Sequence, residues 1–261
     1  MGTDVEVSGR ERALVVLTPS ESKRLIAEAV CRLAEVRAAL SKGRVVVFGG
    51  TTNAFVAERL TGRPVDRYWF AAGRIGGGLL GANERERRAA PVVVVDGRQV
   101  DMSPAEALED FTARDVCIKG ANAVDTSGMA GVLLADERGG SIGSALGIVA
   151  ARGANLVVPV GLEKLIPSVA EAATMCGTGR VGRATGLAVG FMPIVGARVV
   201  TEIEAVETLF GSSGVRAVHV ASGGVDGSEG AVVLALHGPS AGLRAAFRRL
   251  EEMKGEPPVR P

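Results

Sequence analysis

The chain has 261 residues, of which 47% are hydrophobic and 23% are charged, and its formal net charge is +1. This balance is typical of a soluble globular protein with a sizeable core, and it gives no electrostatic reason to expect binding to nucleic acid or to an anionic membrane. Only 3% of the residues are aromatic, which argues against the stacking surfaces that bind single-stranded nucleic acids.

Three widely spaced cysteines, Cys31, Cys117 and Cys176, exclude a complete disulfide framework, and no Cys/His spacing suggests a metal site. The N-terminal residues lack the apolar segment of a secretory signal, and no stretch is apolar enough for a membrane helix. We therefore expect a cytoplasmic homo-oligomer that uses no metal or other cofactor and has neither a nucleic-acid nor a membrane partner.

The first elements along the chain predict a layered fold. Residues 19–40 place apolar side chains at helical spacing and predict one helix. Helical stretches then alternate with short runs of β-branched residues, several of them apolar throughout, as in strands buried on both faces of a parallel sheet. We expect an α/β domain with a mostly parallel sheet flanked by helices. The predicted strands are 44–48, 91–97, 115–120, 131–136 and 155–161, and the helices between them are 53–60, 103–112 and 141–152.

The pattern changes after about residue 185. A strand that turns helical (ARVVTEIEAVETLFG) is followed by two strands joined by a Gly-rich turn and by a basic amphipathic helix. A β-α-β-β-α run of this size is similar to a small ferredoxin-like or ACT-like α+β unit. We therefore predict an α/β ligand-binding domain at residues 1–190 and a small α+β domain at 191–261.

Residues 45–60, VVVFGGTTNAFVAERL, place glycines and hydroxyls where a strand passes into a helix. Open parallel sheets bind ligands at the carboxyl ends of their strands, and a helix N-terminus there offers unpaired amides to an anion. The glycines allow close approach of the backbone, and Thr51 and Thr52 can donate hydrogen bonds. The alternative is structural: the glycines make the turn, and a threonine caps the helix.

A second Gly-rich segment, FAAGRIGGGLLGANERERR at residues 70–88, has two interpretations. It is either a mobile ligand loop, in which Arg74 contacts an anion, or a flexible surface connection. The guanidinium of Arg74 matches phosphate and carboxylate geometry.

Residues 115–128, DVCIKGANAVDTSG, form a predicted strand that ends in polar groups. They resemble the Asp-Gly-Ala-Asp-Glu-x-Asp signature of ribose-5-phosphate isomerases and related sugar-sensing domains, in which a phosphate loop similar to GGTTNA follows the first strand. The next segment, through VPVGLEKLIPS, resembles lactate-utilisation (LUD) domains more closely. The resemblance covers residues 20–175, and it implies the sugar-phosphate isomerase and CoA-transferase-like fold that these families share.

Several positions depart from the isomerase pattern. The first Asp of the signature is Lys119 here, the second is Asn122 and the Glu is Ala123, so that only the last Asp remains, as Asp125. The general base of the isomerases, a Glu, aligns with Leu146, which cannot carry a proton. The covalent carboxylate of the CoA-transferases has no evident counterpart. Isomerase activity of the known kind is therefore not expected.

The replacements indicate an anionic ligand. Lys119 puts a cation where the isomerases have an acid, Asn122 can donate as well as accept, and the resemblance directs Lys164 towards the ligand. The structural alternative is an ion pair between Lys119 and either Asp125 or Glu163.

Three hypotheses follow. The first is a protein that binds a small phosphorylated or carboxylated metabolite. The second is an enzyme acting on a sugar phosphate or hydroxy acid, with Lys119, Asp125 and Glu137 as its catalytic residues. The third is a non-catalytic sensor or oligomeric subunit, in which the ACT-like C-terminal part mediates assembly or effector binding. The predicted ligand-binding residues are Gly49, Gly50, Thr51, Thr52, Asn53, Arg74, Gly120, Asn122 and Lys164.

Overall fold

The computed structural model describes residues 10–261. The strands are β1 (Arg10–Leu17), β2 (Arg44–Val47), β3 (Gly73–Gly76), β4 (Leu79–Ala82), β5 (Val92–Val95), β6 (Arg98–Val100), β7 (Val116–Ile118), β8 (Ala123–Val124), β9 (Ala130–Leu134), β10 (Asn155–Pro159), β11 (Gly190–Ile194), β12 (Arg198–Val200), β13 (Arg216–Gly223) and β14 (Ala231–Pro239). The α-helices are α1 (Pro19–Val30), α2 (Ala34–Ser41), α3 (Thr51–Thr61), α4 (Pro104–Glu109), α5 (Gly140–Arg152), α6 (Val169–Met175), α7 (Glu202–Phe210) and α8 (Ser240–Glu251).

The central sheet has six strands in the order β12-β10-β7-β2-β5-β6. Its first four strands, β12, β10, β7 and β2, are parallel, whereas β5 and β6 are antiparallel to their neighbours. The predicted α/β class is therefore confirmed, with a mixed sheet and helices packed around it.

The helix predicted for residues 19–40 is divided into α1 and α2. Thr18 caps α1, because its hydroxyl accepts a hydrogen bond from the Glu21 amide while the Glu21 carboxylate accepts one from the Thr18 amide. Leu33 lies just before α2 with an extended backbone and a buried side chain. Both helices contribute buried side chains to one hydrophobic core.

Two smaller antiparallel elements flank the central sheet. The strand predicted at residues 131–136 is β9, which lies outside the central sheet and pairs with β8 and β11. The Phe191 ring of β11 occupies the space beside Gly131, where a Cβ would lie 2.2 Å from the ring. Residues 70–88 contain the hairpin β3–β4.

A three-stranded antiparallel sheet, the terminal sheet, joins the two ends of the described chain in the order β1-β14-β13. β1 pairs with β14 along its whole length, from Arg10 opposite Pro239 to Leu17 opposite Val232. The two C-terminal strands and the helix after them were expected from the sequence and are confirmed as β13, β14 and α8. β1 was not predicted.

The core lies on both faces of the central sheet. In β2, Val45 and Val47 belong to the cluster that contains the buried side chains of α1 and α3, whereas Val46 belongs to the cluster that contains those of α4 and α5. This arrangement explains why the strand is apolar throughout, because both of its faces are covered.

Strands from both sides of residue 190 share sheets. β12 pairs with β10, β11 pairs with β9, and β1 pairs with β14. The division into domains at residues 1–190 and 191–261 stays a prediction, and no break in strand pairing marks it.

Candidate functional site

The parallel strands β2, β7, β10 and β12 all end at the same edge of the central sheet, which we call the carboxyl edge. β2 leads into α3, β7 into the loop beginning at Lys119, β10 into a short 3₁₀ turn at Leu162–Lys164, and β12 into α7. Ligands of open α/β sheets bind at this edge. The segments that the sequence singled out are thus neighbours.

The glycines at the start of α3 have a steric role. A Cβ on Gly49 would lie 2.5 Å from the carbonyl oxygen of Phe70, and the same oxygen accepts a hydrogen bond from the Gly50 amide at 3.0 Å. The loop before the β3–β4 hairpin therefore crosses directly over the end of β2. The absence of a side chain at Gly49 is what permits this close approach.

The first turn of α3 has no side-chain cap. Gly50 is the N-cap residue, so neither Thr51 nor Thr52 caps the helix as the structural alternative required. Among the described residues, no acceptor receives a hydrogen bond from the amides of Thr51, Thr52 or Asn53. Thr51 is half-buried and Thr52 is buried. The helix start keeps unpaired donors and its positive dipole end.

Asn53 connects α3 to two strand ends. Its Nδ2 donates to the carbonyl oxygens of Phe48, at 2.7 Å, and Ile118, at 3.3 Å. Its Oδ1 is fully buried, lacks a hydrogen-bond partner among the described residues, and lies 3.4 Å from the position of a Cβ on Gly120. The first turn of α3 is therefore adjacent to the Lys119–Gly120 segment, as the predicted site requires.

Lys119 and Lys164 converge on consecutive carbonyl groups. The Lys119 Nζ donates to the Gly120 oxygen at 3.0 Å, and the Lys164 Nζ donates to the Ala121 oxygen at 2.9 Å. Burial lowers the pKa of Lys119 to about 8, and the nearby Lys164 ammonium acts in the same direction. Neither lysine forms an ion pair within residues 10–261, so the structural alternative, an ion pair between Lys119 and either Asp125 or Glu163, is not found.

Glu163 pairs with a lysine that the sequence analysis missed. The Lys23 Nζ of α1 lies 2.8 Å from Glu163 Oε1, and their side chains are 9% and 17% exposed. Burial lowers the pKa of Lys164 to about 8; Lys23 acts in the same direction, whereas Glu163 and Glu202 oppose it. The charge of Lys164 acts on Lys119, and the charges of Lys23, Glu163 and Glu202 act on Lys164. We call these five residues the carboxyl-edge cluster: Lys23, Lys119, Glu163, Lys164 and Glu202.

Glu202 is the second residue that the sequence analysis missed. It opens α7, and its Oε2 accepts a hydrogen bond from the Leu162 amide at 2.8 Å, which fixes the turn that carries Lys164. Its Oε1 and the Ser22 hydroxyl are buried and form no hydrogen bond within the described chain. Burial raises the pKa of Glu202. The cluster contains three lysines and two glutamates, and Glu163 is already paired with Lys23, so the remaining basic groups favour a negatively charged ligand.

The structure does not bring Asp125 and Glu137 to Lys119. The Asp125 carboxylate accepts hydrogen bonds from Ser127 and Met129 in its own turn and from the Val169 amide at the start of α6, and these bonds lower its pKa. Glu137 lies exposed in the loop before α5. Neither forms a hydrogen bond or an ion pair with Lys119 in the described part of the chain.

Asn122 and Arg74 also lie in other environments. The Asn122 Oδ1 accepts a hydrogen bond from the Leu133 amide at 3.0 Å and ties the loop after β7 to β9. Arg74 is exposed on β3 and folds back over its own hairpin, beside Gly76 and Gly81. It lines a cavity of about 290 Å³ with Tyr68, Trp69, Ala82, Asn83, Glu84, Arg87 and Pro261.

Comparison of the chain with protein-family models, with curated proteins and with solved structures finds no match in any of the three. None of the helices within residues 10–261 has the length and apolar character needed to cross a bilayer. The same residues contain no group of three or more His, Cys, Asp or Glu side chains placed to hold a metal ion.

The sequence gives only a weak indication that Glu202 and Lys23, the two residues missed above, lie at the carboxyl edge. Glu202 follows strand β12 directly, so the strand-end rule that singled out Lys119 also applies to it. Lys23 lies in the polar run SESKR at the start of α1, and this composition predicts a solvent-exposed helix end. Only the packing of α1 against the carboxyl edge buries it.

Proposed function

We propose that the chain binds a small anionic metabolite, phosphorylated or carboxylated, at the carboxyl edge of the central sheet. The observation that carries the proposal is a pair of ammonium groups, those of Lys119 and Lys164. They donate hydrogen bonds to consecutive carbonyl oxygens, and neither forms an ion pair with a carboxylate in the described chain. Burying two like charges without a direct ion pair is unfavourable, and an anionic ligand would remove that cost.

The start of α3 supports the same site. Its amides have no acceptor in residues 10–261, and Asn53 links it to the end of β7. A helix N-terminus and two lysines together provide what phosphate and carboxylate ligands need: directed amide donors and point charges. The buried Oδ1 of Asn53 is an unused acceptor that would suit a hydroxyl group on the ligand.

A thermal-shift screen tests the proposal. Inorganic phosphate, sugar phosphates, hydroxy acids and acyl-CoA compounds are added to the full chain, and a ligand present at 100 times its Kd should stabilise it by about 2.7 kcal/mol. In a chain of this size, this corresponds to a rise in Tm of about 5–10 °C.

The variants make the test specific. Lys119→Met and Lys164→Met should each abolish the rise, whereas Lys42→Met, at an exposed lysine outside the site, should keep it. Because burial disfavours both ammonium groups, the two site variants should melt at or above the Tm of the parent at pH 7 without ligand. A rise that survives in both site variants, or no rise with any anion, would contradict the proposal.

We also propose that the fold is of the sugar-phosphate isomerase and CoA-transferase-like type, with a ferredoxin-like or ACT-like C-terminal part. The Gly-Gly crossover from β2 to α3 beside the KGAN segment after β7 supports the first assignment. The antiparallel pair β13–β14 followed by α8 supports the second, although β1 and not β12 is the third strand of that sheet. The departures at Lys119 and Leu146 separate the chain from isomerases of the known kind.

A second candidate function, as an oligomeric subunit, is supported by the terminal sheet. The face of this sheet that points away from the core exposes Leu14 (66%) and Val16 (48%) on β1 and Val218 (53%) on β13. Exposed apolar patches of this kind mark association surfaces. We propose that this face binds the same face of a second copy of the chain.

Charge distribution favours a two-fold arrangement of the copies. Arg12 lies at one end of the face, and the exposed turn between β13 and β14 carries Asp226 and Glu229 at the other. When two faces stack with their strands antiparallel, the basic end of each copy meets the acidic turn of the other.

Sedimentation tests this interface. The parent chain should be a dimer at about 20 μM, a concentration at which micromolar interfaces are populated, and Leu14→Asp should be a monomer with an unchanged circular dichroism spectrum. Leu79→Asp, at a leucine of the β3–β4 hairpin that is 51% exposed, is the matched control and should remain dimeric. A monomeric parent, or equal loss of the dimer in both variants, would contradict the interface.

A further inference from the structure

Lys119 and Lys164 have different surroundings, although both are half-buried. Lys164 and the buried Cys117 are the ionisable groups that act on the pKa of Lys119, whereas Lys23, Glu163 and Glu202 act on that of Lys164. Glu163 and Glu202 favour the ammonium form of Lys164, and Lys23 opposes it. Because no carboxylate acts on Lys119, whose Nζ donates to the Gly120 oxygen, loss of its proton leaves no nearby anion without a cation, and this makes Lys119 the candidate nucleophile of the pair.

A neutral lysine amine beside a second cation is a nucleophile for carbonyl compounds. We propose that Lys119 forms a Schiff base with the carbonyl carbon of an anionic oxo compound, either an oxo acid or a phosphorylated aldehyde or ketone. Lys164 and the first turn of α3 hold the anionic group of this substrate. The inference deepens the proposed function and depends on it, because the anion site is what brings the carbonyl to Lys119.

The step balances without a further reactant. The Lys119 nitrogen forms a bond to the carbonyl carbon, and the carbonyl electron pair moves to the oxygen, which takes a proton from the Lys164 ammonium. The resulting carbinolamine returns a proton from its nitrogen to Lys164 and then loses its hydroxyl, which leaves as water with a proton from the Lys164 ammonium, so that a protonated imine and a neutral Lys164 remain. Amine, carbonyl and proton have become iminium and water, and nothing is oxidised or reduced.

The geometry supports these roles. Lys119 and Lys164 donate to neighbouring carbonyl oxygens of one loop, Gly120 and Ala121, so both ammonium groups lie on the same segment. The two side chains are partly accessible, unlike Lys23, which is 7% exposed and bound to Glu163. A pKa of about 8 for Lys119 leaves a useful fraction of neutral amine at physiological pH.

Reductive trapping tests the inference. The full chain is incubated with pyruvate or with glyceraldehyde 3-phosphate, treated with sodium borohydride, digested and analysed by mass spectrometry. Hydride reduction of the imine should leave a secondary amine on Lys119, and the exposed Lys42 should carry at least tenfold less adduct. Below pH 8 the yield should fall about tenfold for each pH unit, following the fraction of neutral amine.

Two variants control for charge and folding. Lys119→Arg keeps the positive charge and should carry no adduct at position 119, while its melting curve shows that it is folded. Lys164→Gln should lower the yield at Lys119 at least tenfold, because it removes the anion contact and the proton donor. No adduct at Lys119 in the parent with either probe, or equal labelling of Lys42, would overturn the inference.

The outcomes separate this inference from the proposed function. Inorganic phosphate and lactate have no electrophilic carbonyl for Lys119, so they bind without being trapped. If they raise the Tm in a Lys164-dependent manner and neither carbonyl probe is trapped, the anion site stands and the Schiff base is refuted. If no anion raises the Tm and nothing is trapped, both are refuted.

Discussion

Glu163→Ala should destabilise the chain by about 3 kcal/mol at pH 7, since removing one partner of a buried ion pair leaves an uncompensated charge. The substitution removes the only carboxylate that pairs with Lys23 in the described chain and withdraws negative charge from Lys164. Thermal or urea unfolding measures the effect, which corresponds to a fall in Tm of about 6–12 °C.

Two comparisons make this result specific. Glu137→Ala, at an exposed glutamate, should change the unfolding free energy by less than about 0.5 kcal/mol. Adding Lys23→Met to Glu163→Ala should recover part of the loss, because the unpaired ammonium of Lys23 is then gone. If Glu163→Ala matches the Glu137→Ala control, the ion pair is not a structural component of the site. Loss of ligand binding in the double variant would show that the charge of Lys23 also contributes to the electrostatic attraction of the anionic ligand.

Gly49→Ala should also be strongly destabilising, by about 2–4 kcal/mol, as the sum of a steric clash and a lost hydrogen bond. The new Cβ would lie 2.5 Å from the Phe70 oxygen, so the loop must move away and release the Gly50 amide. Because this contact sets the start of α3, the variant should also weaken anion binding. Urea unfolding and the thermal-shift assay with phosphate measure the two effects.

Gly147→Ala is the matched control. Gly147 lies within α5, and apart from its chain neighbours and the backbone of its own helix, no atom of the described chain lies within 4 Å of the position of its Cβ. A glycine in a helix interior is less favourable than alanine by about 0.5–1 kcal/mol, so this variant should be slightly more stable than the parent. Equal destabilisation by both substitutions would refute the steric explanation for Gly49.

That the segments of the candidate site are neighbours could be predicted from the sequence, because it depends on a rule of topology. The apolar runs of β2, β7 and β10 predict buried strands, and the carboxyl ends of parallel strands meet at one edge. It follows that GGTTNA, Lys119 and Lys164 had to be neighbours. The rule does not say which way each side chain turns, which is why Asp125 and Asn122 were included although they serve the turns around β8.

Contacts between elements far apart in the chain could not be predicted. Lys23 belongs to the carboxyl-edge cluster only because α1 packs beside the turn after β10. The packing of these two elements cannot be predicted from a single sequence. The strand predicted at residues 131–136 is apolar like the central strands, yet it pairs with β11 because Gly131 accommodates the Phe191 ring. The local sequence pattern predicts that a segment is a strand. The sheet that the strand joins depends on how its side chains fit those of strands far away in the chain.

The pairing of β1 with β14 has a consequence for biosynthesis. β14, the partner of β1, leaves the ribosome only about 200 residues after β1. At a translation rate of about 5–20 residues per second, this delay is roughly 10–40 s. Throughout it the hydrophobic residues of β1 lack their native cover, and transiently exposed apolar surface of this kind favours aggregation. The high contact order of this closure also makes it one of the slowest steps in maturation.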